Sequence, residues 1–478
     1  MRALNAGFAW LSANYLGGIP IDRIATIAGV LFSYALAHAF RRIPATSASL
    51  RHAFSIVSTL FLFGAVQEQY IGLAHLLAGS LVIYGMMKTL KGSLMPKAVF
   101  LVAMLHMSFS QLRRQWGESG TVSFDYTGAQ MVFVIKVTSL AYCVYDGTCD
   151  PKTLSTYQRK NAIVGVPSLL EFLGYVSFFP GFAVGPAFEL ATYRRMISFD
   201  NRQASRQVNA RAYTTLLVGV FWVAIVVLYG DKYSFGFMAT DEFGQWPFVS
   251  KAVFMGVAGL VTRGAYYAAW KMSEGACMLA GLGFDGYCED GSIAWLDIAN
   301  VRVFDVESSS SLKSMIDAWN IGTNTWLRHH VYMRLNQGSG SSSHATLLTF
   351  LVSAWWHGFY PGYYLTFFIA SLASNAARVL RKNLRPLMVS KEDDMEKRRP
   401  PAKLAYDAVG WVISKFTLDF AVIPFMLLNI APSIKAWKNF YFAVPVGIVA
   451  VELSFKVLGA GRLLKPYAKD QKVANKTT

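Results

Sequence analysis

Long apolar runs alternate with short polar connections along almost the whole chain, and this pattern predicts a bundle of membrane helices. Examples are IATIAGVLFSYALAHAF from Ile24, YIGLAHLLAGSLVIYGMM from Tyr70, TGAQMVFVIKVTSLAYCVY from Thr127 and YTTLLVGVFWVAIVVLYG from Tyr213. Several approach the roughly 20 residues that a helix needs to cross a bilayer. We therefore expect an all-α polytopic membrane protein with about nine to eleven transmembrane helices and additional re-entrant or short helices.

One apolar stretch is interrupted at Pro361 and Gly362. HATLLTFLVSAWWHGFY precedes the break and YYLTFFIASLASNAARVL follows it, and neither half is a comfortable solitary span. The two halves are predicted to form a helical hairpin that carries His357 into the membrane. Non-helical backbone at that depth is tolerated only where protein or a water-filled cavity surrounds it, so the break indicates an intramembrane chamber.

A second irregular stretch is LLEFLGYVSFFPGFAVGPAFEL, in which Pro180 and Pro186 predict kinked helices. It contains Glu171, and a preceding apolar run contains Lys136. Each charge is expected either to contact a substrate or to have a structural role. That role is an ion pair or a helix-end position for Glu171, and snorkelling or an interhelical pair for Lys136.

Composition supports one membrane domain over residues 1–478. Only 15% of the residues are charged, 54% are hydrophobic, and the mean hydropathy is +0.35. No segment is polar enough over sufficient length to form a separate soluble domain. We expect a basic cytosolic loop at about 378–403, two C-terminal helices at about 404–458 and a polar tail at 459–478.

The net charge of +17 arises from 45 basic and 28 acidic residues. In a membrane protein, clusters such as 194–211 and 378–403 are expected on the cytosolic side, so no nucleic acid partner is predicted. The four cysteines lack paired spacing and are predicted to be free thiols. No His or Cys motif predicts a metal site.

His357 and Asn320 are the leading candidates for chemistry. His357 lies in an apolar, tryptophan-flanked run, and Asn320 lies upstream in WNIGTNTWLRHHVYMRL. An ionisable residue within a membrane is a functional candidate because burying it is costly. The alternative is a structural histidine that is hydrogen-bonded to a neighbouring carbonyl.

The combination WNIGTNTWLRHHVYMRL and VSAWWHGFYPGYYLTFF resembles the signature of the membrane-bound O-acyltransferases, especially their lysophospholipid acyltransferase branch from yeast and plants. KVTSLAYCVYDG, EFLGYVSFFPGFAVGPAFEL and KMSEGACMLAGLGF agree with that branch in content and order. The resemblance implies the corresponding helical membrane fold, with a catalytic core at about 136–378. It departs at His330, where related sequences usually carry Tyr.

The resemblance implies transfer of a fatty acyl chain from acyl-CoA to the free hydroxyl of a lysophospholipid in the endoplasmic reticulum membrane. It assigns catalysis to His357 and Asn320. A neutral imidazole can accept the hydroxyl proton. The Asn320 amide can orient the imidazole, orient the hydroxyl or donate to the oxyanion, and the sequence does not choose among these roles. No bound cofactor is expected, since acyl-CoA is a co-substrate.

Other residues are candidates for substrate binding. Tryptophans near the two motifs are predicted either to line an acyl tunnel or to pack as aromatic anchors. Arginines after Asn320 are predicted either to meet CoA phosphates or to face lipid headgroups. The resemblance alone adds Glu274 and Tyr363 as chamber residues. All the candidates for substrate binding are Trp319, Trp326, Trp355, Trp356, Arg328, Arg334, Glu274 and Tyr363.

Two functional alternatives stay open at this point. A related acyltransferase could use diacylglycerol, a sterol or a protein as its acceptor. A transporter could use Lys136, Glu171 and His357 as a translocation path, although no inverted repeat is visible. Oligomeric state is not predicted.

Overall fold

The computed structural model describes residues 2–14, 19–117, 126–199, 205–290, 293–295, 298–336, 342–389, 400–464 and 467. These residues are predominantly helical, and the strands among them form an antiparallel hairpin of β1 (Phe284–Tyr287) and β2 (Ile293–Trp295). The predicted all-α polytopic class is confirmed. Most of the predicted polar tail, and residues 390–399 of the basic loop, lie outside the described residues.

Long apolar helices alternate with short helices at the connections, as the sequence pattern predicts. Three π-helical turns extend α3, α15 and α21, at Leu60–Val66, Leu327–Tyr332 and Leu453–Val457. The helices are α1 (Arg2–Asn14), α2 (Ile21–Arg42), α3 (Ala48–Thr59), α4 (Tyr70–Thr89), α5 (Leu94–Gly117), α6 (Thr127–Asp146), α7 (Thr156–Asn161), α8 (Leu169–Val176), α9 (Leu190–Ser198), α10 (Ser205–Tyr229), α11 (Asp241–Gly244), α12 (Phe248–Leu279), α13 (Val303–Ser308), α14 (Leu312–Ala318), α15 (Ile321–Trp326), α16 (Met333–Leu335), α17 (Ser342–His357), α18 (Pro361–Met388), α19 (Pro401–Leu427), α20 (Ile430–Asn439) and α21 (Ala443–Glu452).

The chain forms two compact units. Unit 1 comprises residues 1–224, 264–301 and 320–337, and unit 2 comprises residues 225–263, 302–319 and 338–478. Each unit is therefore assembled from segments that are distant in sequence.

Helix α6 is the central element of unit 1. It packs against α4, α5, α7 and α8, and also against α15 and its π-helical turn. Val134, Val137 and Leu140 are fully buried. Helix α6 also buries several polar residues, and buried polar groups need hydrogen-bond partners within the protein.

The segment between α8 and α9 differs from the predicted kinked helix. Helix α8 ends at Val176, and a single 3₁₀ turn at Phe179–Gly181 precedes an irregular run to Glu189. Pro180 and Pro186 cannot donate backbone hydrogen bonds, and their rings oppose a continuous helix. The prolines and glycines thus interrupt this segment rather than only bending it.

Unit 2 is built around α18 and α19, which pack against each other and against α20 and α21. Its core is strongly aromatic, with Phe243, Phe420, Phe440 and Trp437 in one buried cluster. Both central helices begin with a proline, Pro361 and Pro401, at the first turn, where the missing amide N–H costs nothing.

Within the described residues, seven helices are long and apolar enough to cross a membrane, or eight if the bent α20 and α21 pair forms one span. The bend between those two helices is 74°. Length and hydropathy therefore support seven or eight of the nine to eleven spans expected. Helix α17 has only 16 residues, and the C-terminal half of α18 is basic, as expected for two halves of a hairpin rather than two full spans.

Candidate active site

His357 is the last residue of α17 in unit 2, at the predicted hairpin. Gly358 follows with φ 131°, a conformation that favours glycine, and α18 begins three residues later at Pro361. Helices α17 and α18 pack against each other. The structure thus confirms a helical hairpin around the Pro-Gly break, with His357 at its turn.

Gly362 allows this turn to approach the end of α19. Its N–H donates to the Leu428 carbonyl at 2.7 Å, and a β-carbon at this position would lie only 2.0 Å from the Pro424 carbonyl oxygen. Any side chain at residue 362 would therefore push α18 away from α19. The close approach places the Phe425 ring beside His357.

Aromatic rings surround the His357 imidazole. Measured between ring centroids, Phe367 stacks on it at 5.2 Å, Phe425 meets it edge-on at 4.9 Å, and Tyr363 lies 5.7 Å away. The neighbouring Trp356 ring lies at 4.7 Å and is 4% exposed. Within the described part of unit 2, the imidazole makes these ring contacts and no hydrogen bond. Apolar surroundings favour the neutral imidazole, which can accept a proton.

Asn320 lies in unit 1, immediately before α15. Its backbone is left-handed, with φ 42° and ψ 55°, a conformation in which Asn is enriched among non-glycine residues. Its Oδ1 accepts a hydrogen bond from the Thr323 hydroxyl at 2.9 Å, and the side chain is half-buried. Non-glycine residues in this conformation are strained and concentrate at functional sites.

The segment after Asn320 is fixed to α6 by contacts that repeat every four residues on both elements. Trp326 Nε1 donates to Thr138 Oγ1 at 2.9 Å, and the ring of His330 stacks on Tyr142 at 5.7 Å. We call these pairs, together with the pair in the next paragraph, the α6 ladder. Four-residue spacing places them on one face of each helix.

Arg334 and Asp146 complete the α6 ladder. The Arg334 guanidinium donates to both Asp146 carboxylate oxygens, at 2.8 and 2.5 Å, and lies over the Tyr142 ring at 4.6 Å. A two-pronged Arg–carboxylate pair is the geometrically specific form of this interaction. Arg334 is thus engaged by Asp146, a partner that sequence reasoning missed because the two residues are 188 positions apart.

Glu189 forms a second polar cluster beside the α6 ladder. Its carboxylate accepts hydrogen bonds from Tyr157 Oη at 2.8 Å, His330 Nε2 at 3.2 Å and Cys143 Sγ at 3.5 Å. Burial alone would raise the pKa of Glu189, but the hydrogen bond and electrostatic attraction of His330, with the hydrogen bonds from Tyr157 and Cys143, outweigh it and hold the pKa below its usual value. One carboxylate thereby joins α6, α7 and the π-helical turn after α15.

Cys143, Glu189 and His330 also offer a possible metal-ligand set, since their ligand atoms lie within 4.8 Å of one another. Sequence reasoning did not foresee this cluster, whose members come from three separate segments. His330 Nδ1 is buried and has no hydrogen-bond partner among the described residues. A metal-bound histidine normally donates its other N–H to a fixed partner. His330 Nε2 is hydrogen-bonded to Glu189 while Nδ1 lacks such a fixed partner, so the residues fit a hydrogen-bonded cluster better than a metal centre.

The remaining predicted binding residues have varied surroundings. Glu274 is 3% exposed and pairs with Lys271 at 2.9 Å, and Trp326 is 1% exposed. Arg328 is exposed, while Trp319 and Trp355 are half-buried. Unit 1 contains Glu274, Asn320, Trp326, Arg328 and Arg334, and unit 2 contains Trp319, Trp355, Trp356, His357 and Tyr363. Their roles toward substrate stay predictions.

Lys136 and Glu171, the other charges in apolar segments, both have structural partners. Lys136 Nζ donates to the Tyr175 carbonyl at 2.6 Å, near the end of α8. Glu171 accepts from Arg194 Nε at 2.6 Å and from a second guanidinium nitrogen at 3.2 Å. The ion-pair alternative is confirmed for Glu171, and Lys136, at 1% exposure, bonds between two helices rather than snorkelling.

The fold is that of a polytopic helical membrane protein, and His357 lies at the turn of a helical hairpin. Residues 114–420 match the model of the membrane-bound O-acyltransferase family. The chain belongs to this family.

Relatives resemble the chain over most of its length. It is 34% identical to the lysophospholipid acyltransferase of Schizosaccharomyces pombe, over 91% of this chain and 86% of the relative. It is 31% identical to the lysophospholipid acyltransferase of Saccharomyces cerevisiae, over 92% of this chain and 74% of the relative. It is also 31% identical to membrane-bound glycerophospholipid O-acyltransferase 2 of Homo sapiens, over 91% of this chain and 85% of the relative.

Proposed function

We propose that this protein transfers a fatty acyl group from acyl-CoA to the free hydroxyl of a lysophospholipid in the endoplasmic reticulum membrane. The observation that carries the proposal is the similarity, along more than nine-tenths of the chain, to two yeast proteins named lysophospholipid acyltransferases. The acyl-CoA donor and the membrane follow from the sequence resemblance.

His357 serves as the general base. The acceptor hydroxyl gives its proton to the neutral imidazole while the hydroxyl oxygen attacks the thioester carbonyl carbon. The tetrahedral intermediate then breaks its C–S bond, and the imidazolium returns the proton to the CoA thiolate. The aromatic surroundings of His357 support this role, because they leave the ring uncharged and unengaged by other described groups of unit 2.

Asn320 assists the same step. Its amide cannot titrate, so it contributes by orienting the hydroxyl or the imidazole or by donating to the oxyanion. The strained left-handed backbone supports an assignment to function, since such conformations persist where the surrounding structure fixes them.

The test is acyl transfer by purified protein in detergent or nanodiscs. Radiolabelled oleoyl-CoA is offered with a panel of lysophospholipids that differ in headgroup, and with diacylglycerol and a sterol as competing acceptors. The proposal predicts labelled diacyl phospholipid, and no such product from His357→Ala prepared in the same way.

The other outcomes are distinct. Product only from diacylglycerol or the sterol would replace the acceptor and retain the acyl-CoA donor. Product from a phospholipid donor, with none from oleoyl-CoA, would replace the donor. If the tagged protein fractionates with markers of another membrane, its proposed location in the endoplasmic reticulum would be contradicted.

A further inference from the structure

The first turn of α15, directly after Asn320, is capped from outside the helix. The Asn300 backbone carbonyl accepts a hydrogen bond from the Ile321 N–H at 2.8 Å, and Asn300 Oδ1 accepts from the Gly322 N–H at 3.1 Å. The first amides of a helix have no partner within it, so these two bonds satisfy groups that would otherwise be unpaired.

Asn320 occupies the N-cap position but makes no side-chain capping bond. Asn is among the residues preferred for that task, which it normally performs from an extended backbone by accepting from an amide in the first turn. Here the backbone is left-handed, and Oδ1 instead accepts from the Thr323 hydroxyl. Asn320 therefore occupies the N-cap position, but the side chain that caps the helix is that of Asn300.

Asn300 is held firmly enough to act as a cap. It is 4% exposed, and its neighbours Ile298 and Val301 are 8% and 0% exposed. On the other side, Gly322 packs closely, since a β-carbon there would lie 3.2 Å from both the Ala187 carbonyl oxygen and Asn300 Oδ1. The helix start is thus clamped between the segment at 298–301 and the segment at 187.

We infer that Asn300 is a positioning residue that caps α15 in place of Asn320, and so fixes the helix start that holds the Asn320 amide for acyl transfer. The catalytic consequence rests on the proposed function, whereas the capping itself does not.

Hydrogen–deuterium exchange, followed by mass spectrometry of peptides covering residues 319–326, tests the capping in the full-length protein. Asn300→Leu keeps the branched side-chain skeleton and removes Oδ1, so exchange at the start of α15 should rise on the order of tenfold, as expected when a cap of about 1.4 kcal/mol is lost. Asn300→Asp retains the acceptor and should match wild type. Asn320→Gly should also match wild type, because the Asn320 side chain makes no capping bond.

Acyl transfer tests the consequence through a double-mutant cycle. Asn300→Leu should lower kcat on the order of tenfold with KM for oleoyl-CoA nearly unchanged, because small misplacements of a reacting group are costly. Asn300→Asp should restore kcat. In the Asn320→Gly background, Asn300→Leu should lower kcat no further, since Asn300 acts through Asn320.

Each failure is distinguishable. Unchanged exchange in Asn300→Leu, or faster exchange in Asn320→Gly, overturns the inference whatever the activity. An equal kcat loss in both backgrounds also overturns it, because Asn300 would then serve stability alone. A wild-type protein without acyl transfer contradicts the proposed function, while the exchange experiment still decides which asparagine caps α15.

Discussion

The surroundings of Asn320 and of His357 are stabilised by different kinds of contact. The segment that follows Asn320 is fixed by directional polar contacts, namely the α6 ladder and the Glu189 cluster. His357 is surrounded by the rings of Phe367, Phe425 and Tyr363 and, within the described part of unit 2, makes no hydrogen bond. Two residues proposed for one reaction are thus supported by different kinds of force.

The difference follows from what each side chain is asked to do. An amide that orients a reactant must itself be oriented, and hydrogen bonds fix direction because they weaken steeply off axis. A general base must keep a lone pair for the incoming proton, so ring contacts hold the imidazole without engaging its nitrogens. We therefore expect substitutions around His357 to lower mainly kcat, and substitutions in the polar clusters to lower mainly stability.

The largest effect is expected at His357. His357→Ala should lower kcat by about 100- to 10,000-fold, the usual contribution of a general base. His344→Ala provides a matched control, because His344 begins the same helix and is exposed. Near wild-type turnover in His357→Ala, measured with labelled oleoyl-CoA, would remove the proposed base.

Asn320→Gly should lower kcat by about 100-fold, comparable to the loss of one oxyanion donor. Glycine adopts the left-handed backbone freely, so this change removes the amide without forcing the chain to rearrange. Asn320→Ala removes the amide and also disfavours the left-handed backbone, so it serves as the comparison for Asn320→Gly. Equal activities for Asn320→Gly and wild type would assign Asn320 to backbone geometry alone.

Glu189→Gln should lower stability by about 1.5–3 kcal/mol, because the carboxylate accepts hydrogen bonds as a charged group. The folded pKa of Glu189 lies below its ordinary value of 4.5. Its contribution is therefore present above that value and lost as the pH falls through the folded pKa. Thermal unfolding should show a Tm difference from wild type at pH 7 that shrinks below about pH 4.5, and a constant difference would contradict the ionised cluster.

The smallest effect is expected from the rings around His357. Phe367→Leu should lower kcat roughly two- to tenfold, the range that an aromatic contact of about 0.5–1.5 kcal/mol supplies. Phe368→Leu is the matched control, since Phe368 is adjacent and 56% exposed. A similar loss in both variants would mean that losing any aromatic ring from α18, rather than the ring stacked on His357, lowers activity.

The sequence predicts the periodic and local features well. Apolar runs predicted the helices, and the Pro361 and Gly362 break predicted the hairpin at His357, because both depend on residues close together in the chain. The Glu189 cluster and Asn300 could not be found this way. Their side-chain partners are 22 to 141 positions away, and no spacing rule connects an irregular loop to the helix that it will cap.

The enclosure of α6 has a consequence for biosynthesis. Lys136 lies within this span, and its ammonium is satisfied by the Tyr175 carbonyl, which is synthesised 39 residues later. Until α8 arrives, α6 exposes an unmatched charge to lipid, a costly state for a newly made helix. We expect chains truncated before α8 to leave α6 incompletely inserted, as glycosylation mapping of nascent chains would show. On this basis the stable insertion of α6 depends on a segment that is synthesised after it.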